Sequence, residues 1–361
     1  MRRSHRRRRP WPALVEVRRH LRCVLSMRDD EYYVNSHARV DQPEHTPHER
    51  RRRSGDNCGR LHLRGPPPGL HDMTTAARLP ADLALNVQIA LAEDLGSGDV
   101  TALLVDPSQT ASARIVSREA AVLCGQAWVD AVFRALQPGM RIDWAVPEGA
   151  SVAPDQVVCL LSGSARALLT GERTALNFLQ TLSGTATSVR RYVDAVLGTG
   201  TRIVDTRKTL PGLRNAQKYA VVCGGGLNHR IGLYDGILIK ENHVSAAGGL
   251  REAIWQARAL GLSVPLMTEA ETLAEARIAL DEDVDLLLVD DFELDDIRTA
   301  VALVREHRAC GGKTLIEYSG GATLETVRAL AETGVDRISV GAITKHLRAL
   351  DLSMRFTASG E

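Results

Sequence analysis

The chain is 361 residues long with 44% hydrophobic and 25% charged residues, which excludes a disordered or fibrous protein and points to a globular one. Its six cysteines show no paired spacing, so a secreted disulfide scaffold is excluded and reduced thiols in the cytoplasm are expected. The net charge of +1 conceals an asymmetry: residues 1–72 carry 17 Arg, no Lys and 9 acidic residues, and the remainder is −7 overall.

Residues 1–72 combine Arg runs (Arg6 to Arg9, Arg50 to Arg53), Pro66-Pro67-Pro68 and seven of the 11 His without sustained periodicity. Trp11 to Val15 is cut off by Glu16 and Arg18, too soon for the apolar core of about 7–15 residues in a secretory signal. No apolar run approaches the roughly 18 residues of a membrane span. Arg clusters neutralise phosphates, so a nucleic-acid-binding arm is one reading. A disordered extension, or an upstream stretch attached by a wrongly chosen start, is the plainer one, because charge runs are usually solvated and Met73 opens a sequence of globular character. Neither nucleic acid nor a membrane is the expected partner.

Farther along, Leu83, Val87, Ala90 and Leu91 follow helical spacing, and Gly96-Ser97-Gly98 stops that helix. Strands are expected at 113–116 and 121–124, a helix at 127–136, and further strands at 140–146 and 157–161, with turns at Gly149, Pro154 and Gly163. Helix and strand mix here without regular order, an α+β block. After about residue 200, apolar runs each end in a polar or glycine residue and lead into a helical stretch. The run ends are Asp205, Lys240, Glu269, Asp290, Glu317 and Gly341, spaced 35, 29, 21, 27 and 24 residues apart. Leu294, Ile297, Val301 and Val304 mark one intervening helix, and Thr272 with Glu275 reads as a capping box for another. Strands apolar along their whole length are buried on both faces, so they are parallel and covered by helices. Six such units close into an α/β barrel; an open doubly wound sheet is the rival. Barrels carry their chemistry at strand C-terminal ends, where this sequence puts Asp205, Lys240, Glu269, Asp290 and Glu317.

The densest motif is Asp205-Thr206-Arg207-Lys208-Thr209-Leu210-Pro211-Gly212-Leu213-Arg214, followed by Gly224-Gly225-Gly226-Leu227-Asn228-His229-Arg230 and the strand ending at Lys240. Arg207, Lys208, Arg230 and Lys240, with His229 among them, converge at one barrel mouth and suit a small polyanion: Arg offers a planar fork and Lys a point charge. Singly, each reads as an ordinary surface ion pair. Glu269 and Asp290 could bind Mg²⁺ bridged to substrate phosphates, neutralise the cations, or contact sugar hydroxyls. Ser319-Gly320-Gly321 and Val340-Gly341-Ala342 follow the last two strands, where barrels often bind phosphate through backbone N–H groups. Nothing resembles a P-loop, a dinucleotide fingerprint or a structural zinc spacing. Cys223 lacks a paired base and reads as a packed thiol.

These segments resemble the quinolinate phosphoribosyltransferase family, also called nicotinate-nucleotide pyrophosphorylases (carboxylating). The resemblance runs from about Leu83 to Met354 and includes Glu93-Asp94-Leu95-Gly96, Gly98-Asp99-Val100-Thr101, Gly171 to Asn177, and Leu238-Ile239-Lys240-Glu241-Asn242-His243, besides the motifs above. It implies a type II phosphoribosyltransferase-like fold: an α+β N-terminal domain over 73–183, completed by about 345–361, and an incomplete (β/α) barrel over 184–344. It implies an obligate homodimer and phosphoribosyl transfer from 5-phosphoribosyl 1-diphosphate to quinolinate with decarboxylation, a step of NAD biosynthesis, with Mg²⁺ as cofactor. Arg207, His229, Arg230 and Lys240 would bind the pyridine dicarboxylate, with Arg173 reaching in from the other subunit. Lys208 would stand near the ribosyl donor, Glu269 and Asp290 would face the ribose and metal, and Ser319, Gly320 and Gly341 would hold the 5′-phosphate. Where the family usually reads Glu-Val-Glu this chain has Met267-Thr268-Glu269; Leu-Asp-Asn appears as Val289-Asp290-Asp291, and Thr-His-Ser as Thr344-Lys345-His346. A paralogue using another nitrogen base, or a lyase forming a Schiff base on Lys240, are the competing enzyme readings.

Overall fold

The computed structural model describes residues 77–357; the Arg-rich extension expected over 1–72 lies outside the described residues. Helix α1 (Leu83–Leu95) buries Asn86, Val87 and Leu91 on one face and ends at Gly96, whose φ of 49° only glycine adopts freely. Strands β1 (Thr110–Ser117) and β2 (Ala121–Val122), helix α2 (Gln126–Leu136), and strands β3 (Arg141–Trp144), β4 (Ser151–Val152) and β5 (Val157–Ser164) follow. The apolar run 121–124 thus pairs as a strand for only two residues, where β2 meets β4. Trp128, Val129, Val132 and Phe133 of α2 fill the first core. The last described strand, β12 (Leu352–Thr357), returns to pair antiparallel with β1, and the sheet order is β12-β1-β5-β3.

Helix α3 (Ala165–Ala195) is 31 residues long, about 46 Å at 1.5 Å per residue. Its first part packs Leu168, Leu176, Leu179 and Leu182 into the first core, and Val189 and Tyr192 enter the second. One rigid rod thereby holds both cores in register. At Gly184 an added Cβ would collide with the Arg348 carbonyl, so the returning C-terminal segment crosses the helix where only a hydrogen leaves room.

The second core lies among β6 (Arg202–Val204), α4 (Arg214–Cys223), β7 (Ile237–Ile239), α5 (Glu241–Ala247), α6 (Leu250–Ala259), β8 (Leu266–Ala270), α7 (Leu273–Asp281), β9 (Leu286–Asp290), α8 (Leu294–Ala309), β10 (Leu315–Ser319), α9 (Val327–Glu332), β11 (Arg337–Ser339) and α10 (Ala342–Lys345). All six strands are parallel in the order β6-β11-β10-β9-β8-β7. Each strand from β7 to β11 neighbours the next in sequence, and β11 then meets β6. A doubly wound sheet would reverse direction in mid-sheet, so this is barrel order. No ladder joins β6 to β7, and the barrel is incomplete. Beyond β6 a single parallel bridge from Val204 to Leu227 brings the Asn228-His229-Arg230 segment to the open seam.

Two local expectations change. The capping box at α7 is half formed: Thr272 accepts the Glu275 N–H at 3.2 Å, but Glu275 accepts the N–H of Glu271 rather than that of Thr272. Glu317 is not at a strand end. It lies in the middle of β10, fully buried, because Tyr318 and Ser319 continue the strand alongside Val289 and Asp290.

Candidate active site

Asp205, just past β6, is fully buried. Lys218 of α4, also buried, donates to Asp205 Oδ1 at 2.5 Å and to the His229 carbonyl at 3.0 Å. The His229 N–H donates to the same carboxylate oxygen at 2.8 Å. Asn228, with its amide nitrogen turned inward, donates to Asp205 Oδ2 at 2.7 Å and to the Lys218 carbonyl at 3.0 Å. Burial pushes the Asp205 carboxyl up to about 6 against the opposing pull of Lys218, so it is ionised at neutral pH. The Lys218 ammonium is lowered by the same burial. Asp205 is therefore an internal anchor that fixes the backbone of residues 228–229, rather than a group presented at the mouth.

That anchor settles the state of His229. Its Nδ1 accepts the Arg230 backbone N–H at 2.7 Å, which assigns the ring proton to Nε2. Burial, with the charges of Lys218, Arg337 and Arg230 adding to it, pushes the imidazole down to about 3. At neutral pH His229 is a neutral donor, which corrects the expectation that grouped it with the positive charges. Its Nε2 faces Glu317 Oε1 at 3.7 Å, too far for a hydrogen bond, and finds no other partner among the described residues. Glu317 is pushed up to about 7 by burial, with Arg337 as the main opposing charge.

The cations come next. Arg207 is half-buried and its Nε has no hydrogen-bond partner among the described residues. Arg230 Nη1 donates to the Gly236 carbonyl at 3.1 Å, and burial followed by the nearby Arg207 charge lowers its pKa. Two guanidinium groups within electrostatic reach of one another form a site that an anion relieves. Arg214 reaches from α4 to Thr209 Oγ1 at 3.1 Å and to the Ile231 carbonyl at 3.3 Å, tying the two basic loops together. Gln217 accepts the Leu210 N–H at 2.8 Å and donates to the Thr344 carbonyl at 3.0 Å, linking the first loop to the end of the barrel.

Lys240 caps β7 and donates to Glu269 Oε2 at 2.5 Å. The Glu269 carboxyl is raised by burial, with Lys240 opposing and the nearby charge of Asp290 adding to the rise. Two oxygen-donor carboxylates that repel each other suit a hard divalent cation such as Mg²⁺. One Glu269 oxygen is already taken by Lys240 and Met267 supplies none, so these residues fit an ion bridged through water or substrate oxygens, not an all-protein cage.

At the far side, Ser319 is paired with Asp290 across β9 and β10. Gly320 has φ 142°, and a Cβ there would lie 2.9 Å from the Asp291 backbone, while Asp291 itself takes a left-handed φ of 56°. In this tight turn the Asp291 N–H donates to the Ser319 carbonyl at 2.8 Å, and the close approach leaves no room for a side chain at Gly320. The stem of exposed Lys208 runs over Gly341, where a Cβ would come within 3.1 Å of Lys208 Cδ. Arg173 is exposed on α3 and has no hydrogen bond or ion pair to the other site residues. Lys218, Asn228 and Arg337 were not expected at the site. A lysine inside the buried run Ala216–Val221, in a region with only five lysines, was the one available signal for Lys218.

Residues 99–183 match the N-terminal domain of quinolinate phosphoribosyl transferase and residues 185–355 match its C-terminal domain. The chain is 41% identical over 267 residues to a probable nicotinate-nucleotide pyrophosphorylase [carboxylating] of Synechocystis sp., covering 73% of this chain and 89% of the relative. It is 41% identical over 275 residues to the nicotinate-nucleotide pyrophosphorylase [carboxylating] of Mycobacterium leprae, covering 74% of this chain and 95% of that one. The solved nicotinate-nucleotide pyrophosphorylase of Francisella tularensis superposes with a TM-score of 0.74 at 41% identity, over 78% of this chain and 98% of that chain. With both halves matched and the incomplete barrel shared, this chain belongs to the quinolinate phosphoribosyltransferase family.

Proposed function

We propose that this chain is a quinolinate phosphoribosyltransferase (decarboxylating). It joins quinolinate to 5-phosphoribosyl 1-diphosphate and yields nicotinate mononucleotide, diphosphate and CO₂, a step that feeds NAD synthesis. Membership of the family supports the reaction, and one observation carries the reading onto these residues. Arg207 and Arg230 sit within electrostatic reach of one another, with Asp235 and Glu269 acting on Arg230 only at a distance, beside a neutral His229 whose Nε2–H has no partner among the described residues.

The chemistry follows from charge. Quinolinate brings two carboxylates and the donor brings a phosphate and a diphosphate, so the two substrates repel in free solution. Arg207, Arg230 and Lys240 offset that repulsion, and His229 adds a neutral hydrogen bond to a carboxylate oxygen. Held this way, the pyridine nitrogen faces the anomeric carbon, a positioning effect that can be worth about 7–11 kcal/mol. As the bond to diphosphate breaks, positive charge grows on the ribose, and Glu269 and Asp290 stabilise it electrostatically. Lys208 faces the diphosphate, and Ser319, Gly320 and Gly341 cradle the 5′-phosphate. Once the ring nitrogen is quaternised, it accepts the electron pair left when the 2-carboxylate departs as CO₂, and the ring carbon then takes up a proton. Mg²⁺, held by Glu269 and Asp290 through water or substrate oxygens, would supply charge neutralisation at the diphosphate.

The reading also includes a homodimer, in which Arg173 of one subunit completes the mouth of the other. The exposed position of Arg173, which makes no hydrogen bond or ion pair to the other site residues of its own chain, supports that arrangement. The reading puts the reaction in a reducing compartment, the cytoplasm, and the four described cysteines, all free thiols, support it. The test is incubation of the purified chain with quinolinate, phosphoribosyl diphosphate and Mg²⁺, with nicotinate in parallel. Mass detection of the mononucleotide from quinolinate alone supports the proposal. Product from nicotinate instead would point to a paralogue using another base.

A further inference from the structure

Away from the barrel mouth, three ligand-type groups from separate segments meet. Cys124 follows β2 and is fully buried. Glu148 lies in the turn before β4, and Cys223 is the last residue of α4 and is half-buried. Their sulfur and carboxylate oxygen atoms all lie within 4.8 Å of one another. The carboxylate is already aimed: Glu148 Oε1 accepts the Gly125 N–H at 2.7 Å and Oε2 the Gln126 N–H at 3.2 Å, which fixes its rotamer. Each oxygen keeps a lone pair free. Gly149 lets this turn approach α4 closely, with its Cβ position 3.4 Å from the Cys223 carbonyl oxygen. Tyr219 lies beside all three groups, and its ring stacks at a tilt on that of Trp128 with centroids 5.4 Å apart. The phosphoribosyl transfer has no use for any of these groups.

We propose that Cys124, Glu148 and Cys223 form a binding site for a thiophilic divalent cation of the Zn²⁺ class, distinct from the Mg²⁺ of the barrel mouth. Two sulfurs and one carboxylate oxygen are a three-ligand set for a tetrahedral ion, whose fourth position is left to water. In such a site with Zn–S near 2.3 Å the ligand atoms stand roughly 3.5–4 Å apart, so the present cluster contracts by about 1 Å on binding. Hard oxygen-seeking ions gain nothing from the thiolates, which sets the selectivity. Burial holds the Cys124 thiol protonated, and a bound cation must displace that proton. The bound ion would tie the start of α2 to the end of α4. Cys223 is followed directly by Gly224-Gly225-Gly226, the loop that leads to His229 and Arg230. Occupancy would therefore stiffen the approach to the substrate site without touching substrate.

The test uses the full chain carrying C23S, C58S and C310S, reduced and stripped of metal, so that Cys124 and Cys223 are the clustered thiols that remain. Titration with Co²⁺ is expected to give one thiolate-to-cobalt charge-transfer band saturating at one ion per chain. Zn²⁺ should bleach the band. Cys223→Ser should remove the band, and Glu148→Gln, which keeps both thiols, should weaken Co²⁺ binding by roughly a hundredfold. Zn²⁺ should raise the melting temperature of the parent but not of Cys223→Ser. Absence of a thiolate band in the reduced parent, or a band of equal strength in Cys223→Ser, overturns the proposal. So does a Cys124–Cys223 disulfide on oxidation when the reduced chain binds no cobalt.

Discussion

Replacing Lys218 by Met tests the anchor beneath the basic loops. Lys218 and Asp205 are buried partners at 2.5 Å, and the same lysine holds the His229 carbonyl at 3.0 Å. Removing one member of such a pair leaves an uncompensated charge and costs about 3–5 kcal/mol. The loss depends on pH in a definite sense. Burial already raises the Asp205 carboxyl to about 6, above its unfolded value of 3.8. Its favourable contribution is therefore full below the unfolded value and is lost as pH rises through 6, a span of about 3 kcal/mol. Without Lys218 the folded value rises further, so at pH 5 the carboxyl is protonated and the lysine is hardly missed. Urea unfolding of the parent, Lys218→Met, Asp205→Asn and the double variant at pH 5 and pH 8 measures this. Lys218→Met should lose about 3–5 kcal/mol at pH 8 and less than about 2 kcal/mol at pH 5. The double variant should recover roughly 2–3 kcal/mol of coupling. Equal losses at the two pH values, or a loss below about 1 kcal/mol at pH 8, would refute the reasoning.

His229, depressed to about 3 when folded, binds fewer protons than the unfolded chain below pH 6.5, so its contribution to stability is lost as pH falls from 6.5 toward 3. His229→Asn should flatten that acid limb in thermal melts between pH 7 and 4. Gly320→Ala places a side chain at φ 142° against the Asp291 backbone. It should cost about 1–3 kcal/mol and raise KM for phosphoribosyl diphosphate more than KM for quinolinate, in steady-state kinetics. Arg173→Ala, Arg230→Ala and Lys240→Ala should each abolish measurable turnover while circular dichroism stays unchanged; near-normal activity in all three contradicts the assignment.

The parallel barrel is legible because buried strands leave a plain trace: Leu286-Leu287-Leu288-Val289 has no polar face, and its terminal Asp290 marks where the strand opens to solvent. The same logic misplaces Glu317, since Tyr318 looks like the start of a loop. Its phenol donates to the Gly320 carbonyl at 2.7 Å, which lets an aromatic residue continue a buried strand. Lys218 escapes notice because a lysine on a helix normally faces water, and nothing local says that Asp205 and His229 will close over it. The pairing of β12 with β1 joins residues more than two hundred positions apart, with Ile115 opposite Met354, and no periodicity encodes such a partner. Charge alone also overstates His229. Its type suggests a cation, and only the Arg230 N–H on Nδ1 and the burial of the ring make it a neutral donor.

The basic mouth and the electron-accepting pyridinium together make one outcome measurable in a single experiment. Quinolinate carrying ¹³C in its 2-carboxylate is mixed with phosphoribosyl diphosphate, Mg²⁺ and the chain, and labelled CO₂ and diphosphate are followed together. Equal amounts of the two, with unlabelled nicotinate mononucleotide as the only pyridine product, are expected. Diphosphate released without labelled CO₂, or a product retaining the label, would contradict the account.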